Sequence, residues 1–198
     1  QRNPNAMTLS TVDPDNRPSS RIVLCKAFVP DPGYLVFYTN YRSRKARELD
    51  GNANAAAVFH WDALGRQVRI EGTTVRSPDA ESDDYFATRG WGSQLGAWGS
   101  DQSEAISSRE ELINQVHERG KSLGLDFAGD SRTLKPGEIP HIPRPPHWGG
   151  IRLWVRSIEL WIEGRDGIPE RGRYTRDIEP RGSHDFSVTD WSASRLQP

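Results

Sequence analysis

The chain has one cysteine, one methionine and no long apolar run. A lone Cys25 rules out an intrachain disulfide, and with it a secreted disulfide scaffold. It lies in the apolar run RIVLCKAF and reads as a small core residue rather than a nucleophile. No segment approaches the roughly 18 consecutive apolar residues of a membrane-spanning helix, and no signal peptide is visible. Charge of one sign is also lacking: 26 Lys and Arg against 27 Asp and Glu leave a formal −1. That balance sets up no global field for nucleic acid or an anionic membrane. His60, His117, His141, His147 and His184 show no metal-ligand spacing, so no metal is expected. Dinucleotide, P-loop, nucleophile-elbow and zincin motifs are absent, which leaves a Rossmann domain or a serine hydrolase unsupported. The first residues, Gln1-Arg2-Asn3-Pro4, lack an initiator Met. A natural N-terminal segment is therefore expected to be missing, and a reducing, cytoplasmic location is the default expectation.

What is present is a polar chain of 198 residues, 34% hydrophobic, with a mean hydropathy of −0.74. It has limited apolar material for one large core, a composition that suits a barrel completed by a cofactor and a subunit partner. The first half reads as short strands: Met7–Val12, Arg21–Phe28, Tyr34–Asn40, Ala55–Trp61 and Gln67–Arg76, the last alternating apolar with polar. A short helix near Ser43–Leu49, with Ser43 placed to cap it, follows YTN. Pro78–Thr88 opens with proline and acids and predicts a helix, as does Ser107–Leu123 with a capping box from Ser107 to Glu110. Residues 124–146 read as a long surface loop. Ile151–Val155, Ile158–Ile162 and Arg171–Arg176 return to strand, a polar insertion spans 178–189, and Trp191–Leu196 closes the chain. Six or more short strands with helices between them predict a mainly β chain with helices (α+β), an antiparallel barrel in one domain over 1–198.

Basic residues flank these strand ends. Arg21 and Lys26 bracket one strand; Arg44 and Lys45 open the short helix. A helix N-terminus with Arg and Lys beside it suits a phosphate; solvated surface charge is the other reading of the same residues. Gln67 and the pair Gln102-Ser103 offer amide and hydroxyl groups to a heteroaromatic ring, or serve ordinary turn polarity. Trp91, Trp98, Trp148, Trp154 and Trp161 could wall a pocket for a planar ligand, or be core or subunit interface.

The segments PNAMTLSTVD, RPSSRIVLCK, VFYTNYRSRKARELD, RQVRIEG, ESDDYFATR, SQLGAWGSDQS and PPHWGGIRLW occur in this order. Together they resemble the pyridoxine/pyridoxamine 5′-phosphate oxidase family over nearly the whole chain. Flavin oxidases of phenazine biosynthesis share much of the pattern. The resemblance implies an antiparallel FMN-binding split β-barrel and a homodimer with FMN at the interface. It implies FMN contacts at Arg21, Ile22, Val23, Leu24, Cys25, Lys26, Tyr38, Thr39, Arg44, Lys45, Gln67, Gln102, Ser103, Trp161 and Arg171. It implies substrate-phosphate contacts at Lys26, Tyr85, Arg89 and Ser93; Tyr85 and Arg89, four apart, would share a helix face. The implied reaction is oxidation of pyridoxine or pyridoxamine 5′-phosphate to pyridoxal 5′-phosphate, with O2 as acceptor.

One departure stands out. The family motif Arg-Leu-His-Asp-Arg is replaced by Gly167-Ile168-Pro169-Glu170-Arg171. Gly167 removes a guanidinium and Pro169 an imidazole, the two groups that contact substrate at the flavin face in the family. Loss of an oriented donor or acid/base costs about 10²–10⁴ in rate, so turnover of B6 phosphates is expected to be poor unless Arg165 or Arg173 compensates. The same loss leaves open a same-fold FMN oxidase of another aromatic, such as a dihydrophenazine-like compound, or a non-catalytic binder of FMN or pyridoxal phosphate.

Overall fold

The structure, a computed structural model, describes residues 2–125 and 141–198. Its strands are β1 (Ala6–Val12), β2 (Pro18–Leu24), β3 (Ala27–Val29), β4 (Tyr34–Asn40), β5 (Asn54–Trp61), β6 (Arg66–Arg76), β7 (Trp148–Ile162), β8 (Glu170–Thr175), β9 (Ile178–Arg181), β10 (Asp185–Val188) and β11 (Ser192–Leu196). Its helices are α1 (Arg44–Gly51), α2 (Asp79–Ala87), α3 (Trp91–Gly99) and α4 (Arg109–Ser122). Contacts divide the chain into two compact units. One holds Gln1–Tyr38, Arg47–Ser77 and Gly150–Pro198; the other holds Thr39–Ala46 and Pro78–Gly149.

The first unit is built on a nine-stranded sheet in the order β11-β8-β7-β6-β5-β1-β2, with β4 pairing both β3 and β7. Period-two burial explains why these segments are strands. Met7, Leu9 and Thr11 of β1 are fully buried while their neighbours are half-buried. Ala57 and Ile70 are buried likewise, whereas the consecutive buried runs Leu35–Phe37 in β4 and Leu153–Val155 in β7 place buried side chains on both faces of those strands. Between Glu71 and Gly72 the β6–β7 register shifts, leaving Arg156 as the extra residue. Gly72 allows it: a Cβ there would lie 1.9 Å from the Trp154 carbonyl oxygen.

The second unit packs α2, α3 and α4. Phe86, Leu95 and Trp148 are buried, with Phe86 edge-on to Trp148 at 5.1 Å. Arg144 ties α2 to the segment before β7, through Asp83 (2.6 Å), Asp79 (2.8 Å) and the Trp148 carbonyl (2.7 Å).

Several elements differ from expectation. Arg21–Phe28 is two strands, because the Cys25 N–H bonds Asn5 beside β1 whereas the Lys26 N–H bonds Val36 in β4; the chain changes partner there. Ile151–Val155 and Ile158–Ile162 are one strand, β7, carried through the bulge. The cap of α4 falls one residue later. Ser108 accepts from the Glu111 N–H (3.0 Å), and the Glu111 carboxylate reaches back to Ser107. The polar insertion over 178–189 contains the β9–β10 hairpin. Helix α3 was not expected, since WGSQLGAWG has three glycines and no charge. Of the expected loop over 124–146, residues 126–140 lie outside the described residues.

Candidate functional site

Sheet register organises the first group of candidates. Gln67 on β6 pairs with Trp161 on β7, and Trp161 pairs with Arg171 on β8. The three form one row across three strands. Two residues along, Arg69, Glu159 and Arg173 form the next row, on the same face by the two-residue period. That face is opposite to the one on which Ile70 is buried. Arg171 gives Nη2 (2.7 Å) and Nε (3.2 Å) to Glu159, and Nη1 to the Gln197 carbonyl (2.9 Å). Burial pushes the Glu159 carboxyl up, but the hydrogen bond from Arg171 and the charges of Arg69, Arg171 and Arg173 outweigh it, holding the group below the usual carboxylate range.

Arg21 in β2 is engaged by side chains of β1, β2 and α1. Its guanidinium donates to Thr11 (2.6 Å), Ser19 (2.5 Å) and the buried Glu48 carboxylate (3.1 Å); Glu48 also accepts from Thr11 and Ser19. Ile22 is exposed, and Val23 and Leu24 are half-buried. Cys25 and the exposed Lys26 sit at the corner between β2 and β3. Burial raises the Cys25 thiol above its ordinary value, as expected of a thiol that is no nucleophile. Tyr38 lies near the end of β4.

The second unit gathers the next five candidates. Lys45, 8% exposed, donates to Thr39 Oγ1 and Ser43 Oγ, each at 3.1 Å. The Gln102 side-chain oxygen accepts from Thr39 Oγ1 and the Asn40 N–H, each at 3.3 Å. The Arg44 N–H at the start of α1 donates to Ser103 Oγ (3.2 Å). Ser103 holds φ of +80°, a left-handed conformation rare for a residue with a side chain. Thr39, Arg44, Lys45, Gln102 and Ser103 thus form one knot of cations, hydroxyls and N–H donors at a helix start. Taken by itself, this donor set fits the phosphate ester of FMN; the Gln67–Trp161–Arg171 row of the first unit, taken by itself, offers an aromatic face and donors that fit a planar ring such as its flavin.

The third group also lies in the second unit. Tyr85 stands on α2, but Arg89 lies beyond the end of that helix, so the two do not share a helix face. They meet instead on Trp148. The Tyr85 ring lies parallel to the indole at 6.3 Å, and the Arg89 guanidinium sits 4.4 Å from its centroid. Arg89 Nη1 is buried and has no hydrogen-bond partner among the described residues. Burial lowers its pKa from the ordinary arginine value. Ser93, exposed, is in the first turn of α3.

The tryptophans do not line one wall: Trp154 is core beside Tyr34 and Phe186, and Trp98 packs edge-on to His147. Gly167 adopts φ of +80°, so this turn differs from an ordinary strand end in backbone as well as in side chain. Trp148, Glu48 and Glu159 were not singled out individually by chemistry in the sequence. Only their partners in space give them roles.

The family model described as Pyridoxamine 5′-phosphate oxidase matches residues 1–120. A pyridoxine/pyridoxamine 5′-phosphate oxidase of Burkholderia mallei (strain SAVP1) is 47% identical over 195 residues, 98% of this chain and 80% of the relative. One of Paraburkholderia xenovorans (strain LB400) matches at the same identity and coverage. Among solved structures, PhzG from Burkholderia lata 383, in complex with tetrahydrophenazine-1-carboxylic acid, aligns with TM-score 0.80 at 29% identity, over 100% of this chain and 84% of that one. A pyridoxamine 5′-phosphate oxidase-related, FMN-binding protein from Nostoc punctiforme PCC 73102 aligns with TM-score 0.67 at 16% identity, over 98% and 87%; at that identity the likeness is one of fold, the antiparallel split β-barrel. On the family match and the 47% identity, this chain belongs to the pyridoxine/pyridoxamine 5′-phosphate oxidase family.

Proposed function

We propose that the protein is an FMN-dependent oxidase that converts pyridoxine or pyridoxamine 5′-phosphate to pyridoxal 5′-phosphate, with O2 as acceptor. FMN is its cofactor, as family membership carries. The observation that favours a phosphorylated substrate is Arg89: a guanidinium stacked on Trp148 beside Tyr85, with a buried Nη1 lacking a partner. A buried unpaired donor is costly unless a ligand satisfies it. Lys26 and Ser93 are the further substrate-phosphate residues in this reading.

Arg44, Lys45, Thr39, Gln102 and Ser103 would hold the FMN phosphate, with Arg21 and the run Ile22–Lys26 adding backbone and cationic contacts; Tyr38, Gln67, Trp161 and Arg171 would hold the ring. Bound FMN supplies the two-electron acceptor that no side chain provides. The protein's own part is to orient the substrate through its phosphate, so that reaction energy is not lost to searching. Exposed apolar side chains at Ile22 and Phe28, 65% and 62% accessible, are consistent with a homodimer.

A second reading is a same-fold oxidase of another aromatic substrate. It is favoured by Gly167 and Pro169, which stand where the resemblance places an arginine and a histidine. Anaerobic mixing with pyridoxamine 5′-phosphate separates the readings. Bleaching of the flavin absorbance supports the first; a spectral shift without bleaching, together with bleaching by a dihydrophenazine carboxylic acid, supports the second.

A further inference from the structure

The row next to Gln67–Trp161–Arg171 contains a charge that the proposed function does not use. Glu159 is 4% exposed, yet three guanidinium groups converge on it. Its Oε1 accepts Nη2 and Nε of Arg171 at 2.7 and 3.2 Å. Its Oε2 accepts Nη1 of Arg69 at 3.2 Å and faces Nη2 of Arg173 at 3.5 Å. Arg69 reaches Glu71 as well, at 3.3 Å. A carboxylate buried at this depth on a strand is stabilised only by such partners. Its strongest contact is to the one arginine that stands in the row with Trp161.

Arg171 is consequently not a loose side chain. A guanidinium carries five N–H donors; Glu159 takes one from Nε and one from Nη2, and the Gln197 carbonyl takes one from Nη1. The side chain is thereby pinned over the sheet, with one N–H on each Nη lacking a protein acceptor among the described residues. An arginine held in this way loses less rotamer entropy when it meets a ligand than a solvated one.

We propose that Glu159 is a positioning residue for the cofactor: its carboxylate holds the Arg171 guanidinium beside Trp161 in the orientation in which Arg171 meets FMN. The inference rests on the reading of Gln67, Trp161 and Arg171 as the flavin-ring row. It makes a prediction opposite in sign to simple charge compensation. If Glu159 only neutralised its arginines, removing its charge would leave the surroundings more positive, and the anionic cofactor would bind as well or better. If it positions Arg171, removing the charge weakens FMN binding despite the added positive potential.

The test is titration of flavin-stripped protein with FMN, read by flavin fluorescence, with the thermal midpoint of each variant as a control on folding. Glu159→Gln is expected to raise the FMN Kd about tenfold, the scale of one charge-assisted hydrogen bond. Glu159→Asp, which keeps the charge but withdraws it by one methylene, is expected to fall between Gln and the parent, and it serves if the Gln variant does not fold. Arg171→Ala is expected to weaken FMN by more, and Glu159→Gln in that background to add nothing, since a positioning residue has no effect without the group it positions. A Kd for Glu159→Gln equal to or below that of the parent, or full additivity with Arg171→Ala, overturns the proposal while leaving the flavin row standing. An Arg171→Ala variant that binds FMN like the parent overturns both.

Discussion

Arg89 concentrates the substrate argument in one side chain. Its guanidinium lies 4.4 Å from the Trp148 ring and its Nη1 has no partner among the described residues. A hydrogen bond to a charged group contributes roughly 1.5–3 kcal/mol, so Arg89→Ala is expected to raise KM for a phosphorylated substrate by about 10- to 100-fold, with little change for its dephosphorylated counterpart. Trp148→Phe, which keeps an aromatic platform, is expected to retain most of the affinity that Trp148→Leu loses. Steady-state kinetics on the two substrates read both effects; equal losses on both would remove the phosphate from the argument. Glu159 gives a pH prediction. Its folded-state pKa lies below that of the unfolded chain, about 4.3 for glutamate, because burial is outweighed by Arg171 and its neighbours. The stability it contributes is therefore fully present above about pH 4.3 and is lost as pH falls through the lower folded value. The thermal midpoint of the parent is expected to drop on acidification through that window, and that of Glu159→Gln to drop less steeply. Little of this was visible in the chain as letters: Arg89 was named through the resemblance, whereas its platform Trp148 was one tryptophan among seven. Glu159 was one polar residue in the strand IELWI.

At the scale of elements, period two made the β-strands legible, as in Gln67–Arg76 against the observed Arg66–Arg76. What failed was continuity. The polar pair Arg156-Ser157 at the bulge interrupts the apolar sequence of β7, so one strand looked like two. The opposite error at Cys25-Lys26 came from an apolar run that spans a change of partner strand. Helix α3 escaped because its glycines argue against helix, and burial of Gln94, Leu95 and Ala97 decides otherwise. Pairing register, which brings Gln67, Trp161 and Arg171 into one row, is a property of three strands together and of none of them alone. The bulge yields a stability prediction. A Cβ on Gly72 would lie 1.9 Å from backbone, so Gly72→Ala is expected to destabilise by about 2–4 kcal/mol, the upper part of the range for single substitutions, measured by urea denaturation; a shift within 0.5 kcal/mol would mean the bulge relaxes. The turn before β8 yields another. Gly167 holds φ of +80°, where a side chain costs roughly 1–2 kcal/mol. Gly167→Arg is therefore expected to lower stability without raising turnover of pyridoxamine 5′-phosphate, and a variant with rates raised tenfold or more would show the turn to be more plastic than its backbone implies.

Over the whole molecule, one compact unit carries the Gln67–Trp161–Arg171 row on its sheet, and the other carries the knot of Thr39, Arg44, Lys45, Gln102 and Ser103. No helix among the described residues is long and apolar enough to cross a membrane. Family membership fixes the kind of chemistry, and the chain's own residues suggest how it is anchored: through phosphate groups, on the cofactor by Arg44 and Lys45 and on the substrate by Arg89. The claim on which the rest depends is the first of these. It is tested most directly by calorimetric titration of flavin-stripped protein with FMN and, separately, with riboflavin, which has the same ring and lacks the phosphate. Two or more charge-assisted hydrogen bonds to that phosphate predict FMN binding at least about 100-fold more tightly. Equal affinity for the two flavins would contradict the account.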